Sequence, residues 1–147
     1  MLLTMNDIVA KASADYAAGF YCSQAVLGAF CERYGMDITL ARRVSCGLNS
    51  GVRNAGICGA VTGAVLVIGL RYGESPTDCN QKVEEFIGVF RERNRSIICR
   101  DLLGCDIFTP EGKENAVNNH LFATICRDMV VSATQILCEL GYGDGSM

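Results

Sequence analysis

The sequence predicts an all-α fold, a compact bundle of about five principal helices around a buried, glycine-rich central helix. Only two prolines occur in 147 residues, and half of the residues are hydrophobic. Abundant Ala, Leu, Val and Ile favours helices over a turn-rich β fold. No run alternates apolar and polar residues for long enough to predict a strand. We expect one domain over residues 1–147, long enough to bury most of its apolar surface.

The central helix is predicted in the apolar, uncharged segment 57–70, which follows a glycine-punctuated segment, 47–56. A glycine-rich stretch before an apolar run is typical of a loop that leads into a helix, with Cys58 near the helix start. Gly59 and Gly63 lie four residues apart, so another backbone can approach closely along that stripe. A helix that is apolar around most of its circumference is buried.

The other helices are predicted from capping residues and from helical periodicity. In chain order they are a first helix over 8–17 capped at Asn6–Asp7, a second over 22–34 closed by Gly35, a third over 38–46 capped by Asp37, a strongly amphipathic helix over 79–95, a short helical turn over 96–103, and a last helix over 118–140. Residues 106–115 are predicted as a polar connection, and residues 141–145 as a frayed tail.

Charge and hydropathy exclude two classes of partner. The net charge is −3, whereas a nucleic-acid partner requires a basic face, so we expect no nucleic-acid binding. The N-terminus lacks the basic region and long apolar core of a signal peptide. The uncharged stretch 54–70 would span roughly 25 Å as a helix, less than the ~30 Å core of a bilayer. We therefore expect no membrane span and a cytoplasmic location.

The chain contains nine cysteines, an odd number that excludes complete pairing within the chain. Without a signal peptide they predict a reducing compartment, where structural disulfides are uncommon. Some of these thiols are then buried small hydrophobes, and others are ligands or redox groups. Cys22 and Cys58 lie at predicted helix starts, where backbone N–H groups and the helix dipole stabilise a thiolate. We expect both to have a lowered pKa.

Four segments of the chain resemble the C_GCAxxG_C_C proteins, a family of small redox-active proteins named for its cysteines and a Cys-Gly-Ala-x-x-Gly motif. The segments are Cys22-Ser23-Gln24-Ala25-Val26, Cys58-Gly59-Ala60-Val61-Thr62-Gly63-Ala64, Cys99-x-x-Leu102-Leu103-Gly104-x-Asp106, and Cys126 with Val130 and Ala133 after it. They follow one another between about residues 19 and 137. The resemblance implies a quartet gathered in a helical fold, namely Cys22, Cys58, Cys99 and Cys126.

The glycine-punctuated segment departs from the family pattern. Proteins of the family that this chain resembles have a denser run of glycines before the central motif. Here the chain reads Cys46-Gly47-Leu48-Asn49-Ser50-Gly51-Val52-Arg53, in which Cys46 is an additional cysteine.

Four converging thiols fit three chemistries. They are an iron–sulfur cluster, a zinc or other metal site, and pairs of thiols that cycle between dithiol and disulfide. The quartet has no Cys-x-x-Cys spacing, which argues against a zinc knuckle. A metal site whose ligands come from four separate helices is still compatible with the spacing. We interpret the chain as a redox-active protein, a candidate oxidoreductase, that uses thiol/disulfide or electron-transfer chemistry with a redox partner protein.

Within this interpretation Cys22 and Cys58 are the thiolates, and Cys99 and Cys126 are resolving thiols or the remaining ligands. Two alternatives stay open. One is a non-catalytic metal- or iron–sulfur-cluster-binding module that serves an electron-transfer partner. The other is a structural protein with buried, inert thiols, because free cysteine is among the most buried residue types.

Three residues near the central motif are candidates for an accessory role. Cys46 borders the glycine segment, within reach of Cys58. Arg53 is a candidate to hold a thiolate, a cluster or an anionic partner, against the alternative of an exposed arginine. Gly59 and its neighbouring glycines are candidates to cradle an anion, although the segment matches no phosphate-binding or dinucleotide fingerprint.

The remaining candidates favour simpler roles. The single histidine, His120, is a candidate proton donor or ligand, with a surface position as the simpler interpretation. The other cysteines are interpreted as packing residues, namely Cys31, Cys79, Cys105 and Cys138. The glycine-rich helix fits contacts within one chain or across a homodimer, so the sequence leaves the oligomeric state open.

Overall fold

The computed structural model describes residues 4–144, and this part of the chain is all-helical. It contains eight α-helices: α1 (Met5–Ala17), α2 (Cys22–Phe30), α3 (Ile38–Ser45), α4 (Gly59–Tyr72), α5 (Pro76–Asn94), α6 (Cys99–Leu103), α7 (Pro110–Asn118) and α8 (Arg127–Glu139). Between residues 4 and 144 there is no strand, only one isolated antiparallel bridge that pairs Ile57 with Ile98. The predicted all-α class is confirmed, and the predicted number of helices is too low.

Capping residues explain where several helices begin. The Thr4 hydroxyl accepts the Asp7 N–H at 3.2 Å, and the Asp7 carboxylate accepts the Thr4 N–H at 3.1 Å, so α1 starts earlier than predicted. Asp37 caps α3, as predicted. Ser75 caps α5 and Thr109 caps α7, each followed by a proline at the first helical position. Proline fits there because its missing N–H would have no helical partner.

Two predicted segments near the C-terminus are wrong. Helix α7 occupies part of the predicted polar connection 106–115. The predicted helix 118–140 is interrupted at His120, whose φ is 55°, and continues as one π-helical turn, Phe122–Cys126, before α8. The left-handed φ at His120 ends the predicted helix, because a right-handed helix cannot continue through such a residue.

The predicted tail packs against the protein over residues 141–144, and residue 145 lies outside the described range. Tyr142–Asp144 form a short 3₁₀ turn, in which the Tyr142 side chain is only 1% exposed. The Tyr34 hydroxyl donates to the Tyr142 carbonyl at 2.6 Å. The Tyr142 ring also meets the Tyr72 ring edge to face, at 6.0 Å between centroids. Apolar burial of one aromatic side chain therefore fixes this segment.

Helices α2 and α4 pack closely against each other. A Cβ added at Gly63 would lie 2.8 Å from the carbonyl oxygen of Ser23 and 3.2 Å from Cβ of Val26, so the approach requires glycine. All residues of α2 from Ala25 to Phe30 are buried, and α2 also contacts α1, α3 and α8. Thus α2 shares with α4 the interior position that the prediction assigns to α4 alone.

The buried side chains form two clusters. The main core is built chiefly from α1, α2, α4, α5 and α8. A smaller cluster contains Cys99, Leu103, Ile107 and Ala116, with Leu121 and other residues of the following turn packed against it. The two clusters meet where α6 and the 122–126 turn approach the first turns of α2 and α4.

Between residues 4 and 144, no single helix combines the length and the apolar composition that crossing a membrane requires. Only α7 together with the segment 122–139 passes that test, as a pair bent by 70°.

Candidate functional site

A cavity of about 1040 Å³ lies between the two clusters. Its lining includes the quartet implied by the resemblance, hereafter the cavity thiols, namely Cys22, Cys58, Cys99 and Cys126. All nine cysteines of the chain are free. The cavity is therefore the place where thiols far apart in the sequence share one space.

Cys22 and Cys58 reach the cavity from the first turns of the two packed helices. Cys22 is the first residue of α2, and Cys58 is the N-cap of α4. A Cβ added at Gly59 would overlap the Cys22 sulfur, so this sulfur lies directly against the backbone of α4. The glycine that follows Cys58 therefore makes room for the Cys22 thiol.

The isolated bridge brings Cys99 to the same site. The Cys58 N–H donates to the Ile97 carbonyl at 2.7 Å, and the Cys99 N–H donates to the Gly56 carbonyl at 2.6 Å. In an antiparallel pairing alternate residues share one face, so Cys58 and Cys99 lie diagonally opposite on the same face. A two-residue contact thus joins segments about forty positions apart.

Cys126 completes the cavity lining from the junction between the π-helical turn and α8. The Tyr16 hydroxyl lies next to it and donates to the Phe122 carbonyl at 2.7 Å. The proximity of this hydroxyl is one cause that lowers the pKa of Cys126, against the larger effect of burial. Tyr16 also lines the cavity. The sequence does not single out Tyr16 as a site residue, because its only local signal is its place on the amphipathic helix α1.

Burial raises the pKa of all four cavity thiols. It raises the pKa of Cys99 to about 11 and that of Cys126 to about 12. The pKa of Cys58 is raised further, and that of Cys22 is raised as well. The predicted lowering of the Cys22 and Cys58 pKa values is therefore wrong. Removing a thiolate from water costs more free energy here than the helix N-terminus returns.

Backbone N–H groups surround the Cys22 thiol. Those of Ser23, Ser50 and Gly59 oppose the effect of burial and lower its pKa. The N–H groups of Ala60 and Val61 act in the same direction on Cys58. A negative charge on Cys22 is in turn a cause of the raised pKa of Cys58 and of both remaining cavity thiols. The backbone at the two helix starts therefore partly offsets the cost of burying a thiolate there.

The backbone beside Cys22 forms a left-handed turn that the sequence did not predict. Successive φ values are 54° at Ser50, 66° at Gly51, 56° at Val52 and 56° at Arg53. Such a conformation costs about 1–2 kcal/mol for each residue other than glycine, and a β-branched residue adopts it rarely. A Cβ at Gly51 would overlap the Gly56 backbone, so the turn also requires this glycine. Strain of this kind concentrates at functional sites.

The accessory candidates separate in the structure. Gly59 and Arg53 line the cavity, whereas Cys46 is exposed and His120 is exposed, and neither lines it. Cys105 lies outside the lining but packs against the smaller cluster, and its charge is a cause of the raised pKa of Cys99. Cys105 therefore packs as predicted and also acts electrostatically on one of the cavity thiols.

A metal ion or an iron–sulfur cluster would require several side-chain ligands that converge on one point. Across residues 4–144, no group of three or more His, Cys, Asp or Glu side chains is arranged to hold a metal ion. Four-coordinate zinc and the common clusters both require such a convergence of sulfur ligands. In this arrangement the cavity thiols do not fit a metal centre.

Comparison with known protein families gives a match over most of the chain. The family model described as "Putative redox-active protein (C_GCAxxG_C_C)" matches residues 20–140. The matched range contains all four cavity thiols. Comparisons with curated proteins and with solved structures give no match.

Proposed function

The chain belongs to the C_GCAxxG_C_C family, whose model matches residues 20–140, and we propose that it is a thiol/disulfide redox protein that reacts through its cavity thiols. The observation that carries this proposal is the gathering of four free cysteines from four separate segments around one cavity. Redox activity itself is the description that the family carries. Dithiol chemistry needs access for a substrate and two sulfurs that can approach each other. The shared cavity supports the first requirement, and the electrostatic effect of Cys22 on Cys58 supports the second.

Cys22 is the attacking thiol in this proposal, and Cys58 is the resolving thiol. Two observations support the pair. The Cys22 sulfur lies against Gly59, the residue that follows Cys58. Among the other thiols, Cys22 is also the first cause of the raised Cys58 pKa after burial. Attack requires the thiolate, and the N–H groups of Ser23, Ser50 and Gly59 favour that form at Cys22.

The reaction proceeds in two balanced steps. The Cys22 thiolate attacks one sulfur of a substrate disulfide, so that the substrate S–S bond breaks, a mixed disulfide forms, and one substrate thiolate leaves. The Cys58 thiolate then attacks the Cys22 sulfur and releases the second substrate thiolate. The protein loses two electrons and forms the Cys22–Cys58 disulfide. The substrate gains these electrons, and its two thiolates take up the two protons that the cysteines released.

The test is reaction of the fully reduced protein with a neutral aromatic disulfide, 4,4′-dithiodipyridine. After the reaction is quenched, peptide mapping with differential alkylation identifies the disulfides. We expect a Cys22–Cys58 disulfide, its loss in Cys22→Ser, and a mixed disulfide trapped on Cys22 in Cys58→Ser. The matched control is Cys46→Ser, which removes an exposed thiol outside the cavity and leaves the disulfide intact.

Other outcomes support the competing hypotheses. A disulfide that forms equally well in Cys22→Ser would overturn the assignment of Cys22. Cavity thiols that react only after the protein is unfolded would favour a structural protein with inert thiols. Iron and sulfide in anaerobically purified protein, with the visible absorption of a cluster, would favour a cluster-binding module.

A further inference from the structure

The mouth of the cavity is positively charged. Three cationic side chains, Arg53, Lys113 and Arg127, belong to its lining, and all three residues are exposed. No Asp or Glu of the described residues belongs to the lining. This sign opposes the net charge of the whole chain, which is −3. A local excess of one charge at an opening attracts ligands of the opposite charge.

The three cations are not neutralised by ion pairs. Among residues 4–144, neither Arg53 nor Lys113 nor Arg127 belongs to an ion pair with a carboxylate. Arg53 donates from Nη1 to the neutral Oδ1 of Asn49 at 3.3 Å. Arg127 donates from Nε to the Ser13 hydroxyl at 2.9 Å. These contacts position the side chains and leave their charge in place.

Aromatic rings stand beside two of these cations. The Arg53 guanidinium lies 4.9 Å from the centroid of the Phe108 ring, and the Lys113 ammonium lies 5.6 Å from the centroid of Phe122. Phe108 is 43% exposed and Tyr21 is 47% exposed, and both line the cavity. Apolar rings that stay in water next to unpaired cations suit a ligand with a flat apolar part and a negative charge.

The Asp106 carboxylate, which acts electrostatically on Cys99, accepts a backbone hydrogen bond. Its Oδ1 accepts the Phe108 N–H at 2.9 Å, and Asp106 does not belong to the cavity lining. Its charge is one cause of the raised pKa of Cys99. Asp106 therefore organises the segment that presents Phe108 and keeps its negative charge, which lies outside the cavity lining.

We infer that the cavity binds anionic, partly apolar disulfides, with the negative group of the substrate on Arg53 and Lys113 and its disulfide facing Cys22. The reaction at the sulfur rests on the proposed function, whereas the anion site rests on the charges and rings of the lining. The covalent steps are the two described above: the Cys22 thiolate breaks the substrate S–S bond, and Cys58 releases the second substrate thiolate. Substrate disulfide is the only oxidant required.

Two aromatic disulfides that differ in charge test the preference. The dianionic 5,5′-dithiobis(2-nitrobenzoate) and the neutral 4,4′-dithiodipyridine are compared at the same pH, and the rate of modification at Cys22 is measured by quenching and peptide mapping. The ratio is the rate with the dianionic disulfide divided by the rate with the neutral one. We expect this ratio to fall roughly threefold to tenfold in the double variant Arg53→Gln, Lys113→Gln, since each exposed charge contributes modestly. It also falls as salt is raised to 1 M, because salt screens exposed charges.

The control is the double variant Arg43→Gln, Arg91→Gln, which removes the same two positive charges from exposed residues of α3 and α5, helices that contribute nothing to the cavity lining. We expect it to leave the ratio unchanged. An equal fall in this control, or a ratio that no variant changes, would overturn the anion site.

Binding of unreactive probes separates this inference from the proposed function. Naphthalene-2-sulfonate and the neutral naphthalene-2-sulfonamide are titrated by calorimetry into the wild-type protein and the Arg53, Lys113 double variant. Tighter binding of the sulfonate in the wild type, lost in the double variant, supports the anion site even where no disulfide forms at Cys22. Exchange at Cys22 with equal binding of both probes retains the proposed function and refutes the anion site.

Discussion

Replacing Gly59 with alanine tests the contact on which the arrangement of the site depends. A Cβ at this position would overlap the Cys22 sulfur. It would also lie 3.3 Å from the Leu48 carbonyl oxygen and 3.4 Å from the Ser23 nitrogen. The backbone atoms on these two sides leave little freedom, so the Cys22 sulfur must move. The substitution should therefore affect both the stability of the fold and the reactivity of Cys22.

Two opposing contributions determine how much Gly59→Ala should lower the free energy of unfolding. Overpacking of a tightly filled interior costs about 1–3 kcal/mol. Alanine in place of glycine returns about 0.5–1 kcal/mol in a helix interior, and less at the first position of α4. We expect Gly59→Ala to lower the free energy of unfolding by about 1–2 kcal/mol. Gly69→Ala is the matched control on the same helix, because a Cβ there has no heavy atom within 4 Å, and it should stabilise the protein.

The assay is urea unfolding of Gly59→Ala, Gly69→Ala, Cys22→Ala and the double variant Gly59→Ala, Cys22→Ala. If the sulfur is the atom in the way, the double variant recovers part of the loss, with a coupling energy of about 1 kcal/mol. Alkylation of Cys22 followed by peptide mapping should show a changed rate in Gly59→Ala only. A Gly59→Ala protein as stable as Gly69→Ala, with Cys22 alkylated at the wild-type rate, would refute the packing that we describe.

Three further predictions follow from single contacts. Tyr16→Phe should lower the free energy of unfolding by about 1 kcal/mol, because the Phe122 carbonyl loses its donor. It should also raise the Cys126 pKa, measured by alkylation against pH. Tyr21→Phe, at an exposed position, is the control. Thiols with a raised folded-state pKa hold protons that the unfolded chain has already lost above about pH 8.5, so stability should fall as pH rises. Urea unfolding should show this fall from about pH 9 to 11, shallower in Cys99→Ser, and a flat profile would contradict it. The Tyr142 hydroxyl is buried without a hydrogen-bond partner among the described residues. Tyr142→Phe should therefore leave the free energy of unfolding in urea equal or higher, and a fall of more than about 1 kcal/mol would count against this burial.

Local signals predicted the parts of the fold that depend on few neighbouring residues. The Asp37 cap and the left-handed Gly35 after the second helix are of this kind, and the structure has both. The cap at Thr109 with Pro110 is a local signal as well. It was outweighed by the polar composition of the surrounding residues, which is why α7 was missed. The family resemblance supplied the four cavity thiols, and the match over residues 20–140 confirms the resemblance.

The remainder depends on tertiary contacts that no local pattern carries. Val52 and Arg53 prefer a right-handed backbone, and only the surrounding structure holds them in the left-handed turn. The bridge between Ile57 and Ile98 is a single pair, too short to leave an alternating pattern in the sequence. The error in the thiol pKa values has the same origin. A helix start is visible in the sequence, whereas burial of Cys58 to 8% exposure is a property of the assembled core.

The raised pKa values impose an order on the chemistry. A charge on Cys22 is one cause of the raised pKa of Cys58, of Cys99 and of Cys126, so ionisation at one sulfur suppresses ionisation at the others. In the proposed reaction the mixed disulfide at Cys22 removes that charge, and with it one cause of the raised pKa of Cys58. Burial, the larger cause, remains, so the second step still requires a thiolate that the interior disfavours. Formation of the Cys22–Cys58 disulfide should therefore become faster as pH rises, and a rate that does not depend on pH would contradict this order.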